Sequence, residues 1–196
     1  MLSIIADGNI MAWGEGTYGR LGNGSFNSTS IPVKVTGITR ATAIACRDGG
    51  ALTILSDGTV WSWGTNYKGQ MGNGTVNGGD HDGKISIPVM VHGISNAIAI
   101  DADNVCMALM KDGTLKIWGW GTFGGMGTGK PGPDGVNPIP VTLPRVEHVV
   151  AVKAGYSFGF ALEKDGTLMG WGADMVSAGT VHPAWTPIKV AKLDMR

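Results

Sequence analysis

The strongest constraint in this sequence is one pattern that occurs four times: an Asp-Gly pair followed, six residues after the Asp, by a Trp-Gly pair. The copies begin at Asp7, Asp57, Asp112 and Asp165, so they are spaced by 50, 55 and 53 residues. A repeat with a period of about fifty residues is typical of propellers, solenoids and other arrays of similar units. The chain is therefore expected to be built from four similar units.

Each unit predicts a set of short antiparallel strands. Asp-Gly favours a tight hairpin, and the type I′ turn that it predicts has positive φ at both central residues. The segments before the Asp-Gly pairs are apolar and alternate in part, which favours strands over helices. The Trp-Gly pair leads into a glycine-rich stretch and then a proline segment, and the first three stretches read "WGEGTYGRLGNG", "WGTNYKGQMGNG" and "WGWGTFGGMGTG".

These features together predict an all-β fold. The 196 residues include 33 Gly and seven Trp besides many β-branched residues, a combination typical of short strands and tight turns. A unit of about fifty residues is too small to bury its own faces, so neighbouring units are expected to pack side by side. The length suits the four-stranded blade of a β-propeller, with a solenoid as the alternative arrangement.

The second unit, "DGTVWSWGTNYKGQMGNGT" with "IPVMV" after it, resembles the repeat of the regulator of chromosome condensation (RCC1) family. The resemblance extends over nearly the whole chain and implies RCC1-like β-propeller blades, in a family whose rings usually have about seven blades. It predicts a single repeat domain of residues 1–196, with blade units at roughly 1–40, 41–95, 96–148 and 149–196.

About four blades are fewer than such a ring needs. An open arc would leave two apolar blade faces bare, and bare apolar faces favour association. Three arrangements therefore stay open: part of a longer propeller protein, two copies that close a ring of about eight blades, and a four-blade object, open or tightly closed. The second predicts self-association through exposed blade edges.

The glycine-rich stretches also match a nucleotide-binding pattern. The segments 14–19 and 119–124 both read G-x-G-x-x-G. A dinucleotide site needs a helix after this pattern, because the helix N-terminus holds the pyrophosphate. The residues that follow, "RLGNGSFNSTSIP" and "GMGTGKPGPDG", cannot form helices. The pattern is therefore interpreted as a recurring turn, and no cofactor is expected.

No metal site or catalytic group emerges from the residues either. Asp80, His81 and Asp82 cluster in an insertion of the second unit, but the spacing of a calcium-binding EF-hand loop is absent. Cys46 and Cys106 are too few for a disulfide framework and lack a zinc-site spacing. The Asp residues of the Asp-Gly pairs recur in every unit, which favours a role in the turns. The chain is therefore not expected to be an enzyme.

Charge and hydropathy limit the partners. Fifteen basic and fifteen acidic residues give a net charge of zero, so neither nucleic acid nor an anionic membrane is expected as a partner. No signal peptide or membrane-spanning segment is recognised in this chain. An intracellular location is expected, unless the sequence is a fragment of an exported protein.

A few aromatic residues depart from the repeat and are candidates for contact with a partner. Trp120 occupies a position that other units fill with Glu15, Thr65 and Ala173, so the repeat does not require it. Tyr18 and Phe123 share one turn position, and Tyr67 lies one residue earlier in its unit. The candidate contact residues are therefore Tyr18, Tyr67, Trp120 and Phe123. In contrast, the recurring Trp13, Trp63, Trp118 and Trp171 are predicted to lie in the core.

The predicted function is a non-enzymatic protein–protein interaction module that binds through propeller-face loops, because loops and aromatic anchors carry recognition. The alternative is a structural or carbohydrate-contacting repeat segment of a larger surface protein. The family resemblance also implies guanine-nucleotide exchange on a small GTPase, but the chain covers only about half of a family propeller. Exchange is therefore not the preferred prediction.

Overall fold

The structure is a computed structural model that describes residues 1–76, 83–129, 135–173, 176–177, 180–181 and 183–195. The cluster of Asp80, His81 and Asp82 lies outside the described residues. The described residues form β-strands joined by turns, with two short 3₁₀ segments at Thr17–Gly19 and Thr122–Gly124.

The strands, in chain order, are β1 (Leu2–Ile4), β2 (Ile10–Gly14), β3 (Thr29–Lys34), β4 (Ala41–Arg47), β5 (Gly50–Leu55), β6 (Val60–Thr65), β7 (Lys84–Met90), β8 (Ala97–Ala102), β9 (Val105–Met110), β10 (Leu115–Trp120), β11 (Val136–Thr142), β12 (Val149–Ala154), β13 (Phe158–Glu163), β14 (Thr167–Gly172), β15 (Val176–Ser177), β16 (Thr180–Val181) and β17 (Ala184–Lys192).

The strands form four successive antiparallel sheets, which we call blades 1 to 4. Blade 1 has the order β1-β2-β3, blade 2 β4-β5-β6-β7, blade 3 β8-β9-β10-β11 and blade 4 β12-β13-β14-β17, while β15 and β16 pair separately. The predicted all-β fold of successive antiparallel blades is confirmed. Strands β4, β8 and β12, which begin blades 2 to 4, contact one another in sequence and form the inner side of the arc.

The hairpins form at the Asp-Gly pairs, but the predicted type I′ turn is wrong. Gly58 has φ of 78°, whereas Asp57 is absent from the described residues with positive φ. The Gly58 amide donates to the Leu55 carbonyl at 2.8 Å, and the Asp57 carboxylate accepts from the Thr59 amide at 3.0 Å. The loop thus has three residues, 56–58, one more than a type I′ hairpin, and the Asp57 side chain forms a turn that encloses Gly58.

The core lies between the blades. Three clusters of buried apolar side chains join blade 1 to 2, blade 2 to 3, and blade 3 to 4. The middle cluster, for example, packs Leu52 and Val60 of blade 2 against Trp118 of blade 3. A blade therefore gains most of its apolar burial from its neighbours, as expected for a repeat array.

Of the four recurring tryptophans, Trp63, Trp118 and Trp171 are fully buried, as predicted. Trp13 is only half-buried, so the prediction of a core position is wrong for this residue. The physical reason is that each buried ring packs against the preceding blade, and blade 1 has no preceding blade among the described residues.

In the part of the chain that the structure describes, no helix has the length and the apolar character needed to span a membrane.

Candidate functional site

Three of the four candidate aromatic residues lie together. Tyr18, Tyr67 and Trp120 line one groove of about 430 Å³ that crosses from blade 1 to blade 3. Its walls are the glycine-rich turns, which we call turn 1 (14–24), turn 2 (64–74) and turn 3 (119–129), together with the loops between β4 and β5 and between β8 and β9. The other lining residues are Arg20, Asp48, Gly49, Thr65, Lys68, Gln70 and Asn104. The sequence could not show this convergence, because the three rings come from three separate units.

Phe123 does not line this groove. It lies in turn 3 with 63% of its side chain exposed. Tyr18 and Phe123 occupy the same position in turns 1 and 3, and both have a left-handed backbone, with φ of 65° and 52°. A bulky residue in this region is strained and is held there by the surrounding structure. The turns thereby fix the direction of both rings.

The Tyr18 ring lies between two basic groups. The Arg20 guanidinium carbon is 5.2 Å from the ring centroid, and the Lys84 Nζ is 5.4 Å from it. Cations at this distance are attracted by the electrons of an aromatic face. Tyr18 is 37% exposed, so the ring stays accessible at the groove while the two cations hold it.

Arg20 connects turn 1 to blade 2. Its guanidinium lies 2.8 Å from the Glu15 carboxylate and 3.6 Å from that of Asp48. Its backbone carbonyl accepts a hydrogen bond of 2.9 Å from the indole of Trp63. The side chain and the backbone carbonyl of Arg20 therefore both fix turn 1 against blade 2.

Turn 2 is held differently from turns 1 and 3. The buried side chain of Asn66 donates to the Thr75 carbonyl at 3.1 Å and accepts from the Met71 amide at 3.1 Å. The Lys68 amide donates to the Gln70 side chain at 2.9 Å. Lys68 occupies the position of Tyr18 and Phe123 in this turn, and it does not have a positive φ. The aromatic residue of turn 2 is Tyr67, one position earlier.

Trp120 joins the groove to blade 4. The Lys68 Nζ lies 5.5 Å from its ring centroid, and Tyr156 meets the ring edge to face at 5.9 Å. Tyr156 is 59% exposed and extends the aromatic surface. Sequence reasoning missed Tyr156, because the segment around it gives no signal that it would face turn 3.

A buried cation lies beneath the groove. The Arg47 guanidinium donates to the Thr65 hydroxyl at 2.8 Å and to the Thr65 carbonyl at 2.6 Å. Its Nε is buried without a partner among the described residues, where Arg47 also has no ion pair with a carboxylate. Burial lowers the pKa of Arg47. The positive charge lies below Thr65, itself a lining residue, and it was also missed from the sequence.

The groove brings together groups that are suited to binding. It combines the aromatic side chains Tyr18, Tyr67 and Trp120 with Arg20, and these residue types are enriched at protein interfaces. Within the described ranges, no three or more His, Cys, Asp or Glu side chains come together to hold a metal ion. The Cys106 thiol is buried, and burial raises its pKa to about 12, so it is not a reactive nucleophile at neutral pH.

The fold and this surface define the class of the protein: a repeat protein of the β-propeller type. The regulator of chromosome condensation (RCC1) repeat matches residues 7–53, 57–102 and 112–162, and the chain belongs to this family.

The chain is similar in sequence to the ultraviolet-B receptor UVR8 of Arabidopsis thaliana, with 32% identity over 175 residues. The match covers 87% of this chain and 38% of the receptor. It is 29% identical over 183 residues to the E3 ubiquitin-protein ligase HERC2 of Homo sapiens, covering 88% of this chain and 4% of the ligase.

Two solved structures show the same fold. Prp20p of Saccharomyces cerevisiae superposes with a TM-score of 0.79 at 21% identity, covering 97% of this chain and 48% of that chain. Human WBSCR16 superposes with a TM-score of 0.78 at 23% identity, covering 97% and 50%. The chain thus spans half or less of the length of these relatives and structures.

Proposed function

We propose that this chain is a non-enzymatic protein-interaction module whose partner binds in the groove of Tyr18, Tyr67 and Trp120, with Phe123 at the end of the contact surface. The observation that carries the proposal is the convergence of three aromatic residues from three blades on one groove. The repeat does not require Trp120 at its position, which other units fill with Glu15 and Thr65.

The energetics of interfaces support this assignment. Tyr, Trp and Arg dominate interface hot spots. Tyr and Trp bury a large area with few rotatable bonds and keep a polar end. The rings of Tyr18 and Trp120 are already held by cations and by Tyr156. Less side-chain freedom is then lost on binding, which favours affinity.

The charges favour one kind of partner segment. Arg20, Lys68 and Lys84 lie at the rings and Arg47 lies beneath. The acidic groups that interact with them are Glu15, Asp48 and Asp103. We infer that the groove accepts a protein segment with an apolar side chain next to a carboxylate. Similar proteins have related roles in their names: UVR8 is a receptor, and the Prp20p structure is described with binding to Gsp1p and histones.

The proposal is tested by site-specific photo-crosslinking. A photoreactive phenylalanine analogue replaces Tyr67 in one sample and Trp185, an aromatic residue 41% exposed on β17 outside the groove, in the other. After irradiation in an extract of the source cells, we expect a protein crosslinked to position 67 and none at 185. The partner is then identified from the crosslink and purified.

The purified partner allows a measurement of affinity. Trp120→Ala is expected to weaken binding by about 30-fold or more, the usual loss at an aromatic hot spot, and Trp185→Ala is expected to leave it unchanged. Equal affinities of the two variants would contradict the proposal. A crosslink at position 67 to carbohydrate alone would instead favour a carbohydrate-contacting segment.

A further inference from the structure

The three boundaries between blades repeat one hydrogen bond. At each boundary, the recurring tryptophan of one blade donates its indole N–H to a carbonyl in the glycine-rich turn of the preceding blade. The bonds run from Trp63 to Arg20 at 2.9 Å, from Trp118 to Gln70 at 3.0 Å, and from Trp171 to Gly125 at 2.9 Å.

The same boundaries repeat a second bond in the opposite direction. An amide at the end of each turn donates to a carbonyl of the last strand of the following blade. The bonds run from Gly24 to Ser86 at 2.9 Å, from Gly74 to Pro138 at 2.9 Å, and from Gly129 to Trp185 at 2.7 Å. Each blade therefore binds the preceding blade through one indole donor and one carbonyl of its own last strand.

Blade 1 presents this pair of groups with nothing docked on it. Trp13 and Ser30 occupy the positions of Trp63 and Ser86. Trp13 is half-buried, and among the described residues neither its indole nor the Ser30 carbonyl has the partner that the interior blades use. Strand β1 also pairs only with β2, so its other edge is open, and an open strand edge favours pairing with another chain.

Blade 4 presents an apolar face at the other end. Phe158, Phe160 and Leu162 lie on the side of β13 that faces away from blade 3, and all three are half-buried. Their counterparts in β9 are Val105, Met107 and Leu109, which blade 4 buries to an exposure of 1% or less. Blade 4 therefore has the surface that normally receives a following blade.

We propose that two copies of this chain close a ring, with the blade 4 face of each copy packed on the blade 1 face of the other. The apolar face of blade 4 and the Trp13 face of blade 1 correspond to the two sides of an apolar contact that already occurs three times within the chain. The lengths agree as well: the chain covers 48% and 50% of two chains with the same fold, so two copies match one such chain. Each copy contributes four blades, the first of them with three strands only, and the resulting number lies within the roughly four to eight blades known for propellers.

The first test is the mass of the purified 196-residue chain in solution, measured by sedimentation and light scattering. We expect a dimer, at twice the 20.3 kDa of one chain. A clean monomer at about 100 μM would overturn the proposal, because this concentration is many times that at which a specific interface of ordinary affinity forms. It would mean that blades from another protein or from a longer form of this one cover the two faces.

Variants of each face separate this ring from other dimers. Phe160→Glu alters the blade 4 face, Trp13→Glu alters the blade 1 face, and Ile139→Glu is the control, because Ile139 is 51% exposed on β11 away from both faces. We expect each of the first two to weaken dimerisation by on the order of 100-fold, because a buried charge without a partner is costly. The control is expected to dimerise normally, with all three variants folded by circular dichroism.

The geometry makes two further outcomes decisive. Mixing the Phe160→Glu and Trp13→Glu variants restores one intact interface, so a mixed dimer is expected where each variant alone is monomeric. If Trp13→Glu dimerises as tightly as the unaltered chain, the two copies do not meet end to end and the proposal fails. This ring is independent of the groove, since neither altered residue lines it.

Discussion

Trp13 in blade 1 and Trp118 in blade 3 have the same position in the repeat and different surroundings. Trp118 is fully buried, with its indole bonded to the carbonyl of Gln70 at 3.0 Å. Trp13 is half-buried and has no such acceptor among the described residues. The same residue is therefore a core residue inside the array and a docking residue at its end.

The comparison shows where the stability of this fold resides. A blade holds its own strands by hairpin hydrogen bonds, but its apolar side chains are buried by the neighbouring blades. In a repeat array, stability is a sum of terms for each unit and terms for each interface. Interior and end positions should therefore respond differently to the same substitution.

The largest expected effect is that of Trp118→Ala. It removes a ring with 0% exposure and leaves a cavity between blades 2 and 3, which should lower the free energy of unfolding by about 3–5 kcal/mol. Trp13→Ala should cost about 1 kcal/mol, because its ring is only partly buried.

Urea unfolding followed by circular dichroism measures both changes in the free energy of unfolding. Both variants also carry Phe160→Glu, so that dimerisation does not contribute to the measured stability. If the two substitutions cost the same, the difference between interior and end does not govern stability.

A somewhat smaller effect is expected from Gly69→Ala. Gly69 has φ of +77°, and an added Cβ would lie 2.7 Å from the Pro138 Cα of blade 3. The left-handed backbone and the clash should together cost roughly 2–4 kcal/mol.

The matched control is Gly37→Ala, where φ is +73° but no atom lies within 4 Å. Only the backbone term applies there, roughly 1–2 kcal/mol. Thermal unfolding compares the two, and equal shifts in Tm would show that blade 3 moves aside without cost.

The smallest expected effect is the loss, at low pH, of the stabilisation that the hairpin carboxylates provide. Hydrogen bonds from Thr59 lower the pKa of Asp57, and the pKa of Asp165 is lowered further, first by its bond to Lys192 and then by Thr167. A lowered folded-state pKa means that the stabilisation is complete above the unfolded value of about 3.9. It is lost as the pH falls from there through the folded value.

Carbon NMR titration of the carboxyl groups should therefore show Asp165 titrating at a lower pH than Asp57. Lys192→Ala should raise the pKa of Asp165 toward that of Asp57 and leave Asp57 unchanged. An Asp165 value that does not move would mean that Lys192 has no part in the shift.

Much of the fold could be predicted because its signals are local and repeated. The Asp-Gly and Trp-Gly pairs locate the hairpins and strand ends in all four units, and those signals need only a few residues each. The turn type was predicted wrongly, since the Asp side chain accepts the Thr59 amide and changes the loop. A dipeptide preference does not include that bond.

The site was predictable only in part, because it depends on neighbours distant in sequence. The departure of Trp120 from the repeat was visible, and so was the aromatic position shared by Tyr18 and Phe123. What the sequence could not show is that Tyr156 of blade 4 would meet Trp120, or that Arg47 would lie buried below Thr65. Their role in the contact surface remains a prediction.

The direction of the indole bonds has a consequence for synthesis. Each donor lies later in the chain than its acceptor, by 43, 48 and 46 residues. During translation, at about 5–20 residues per second, the N-terminal part of a chain folds first. Every new blade therefore emerges from the ribosome to meet an acceptor that is already in place, and the arc can be completed in order without waiting for its last residues.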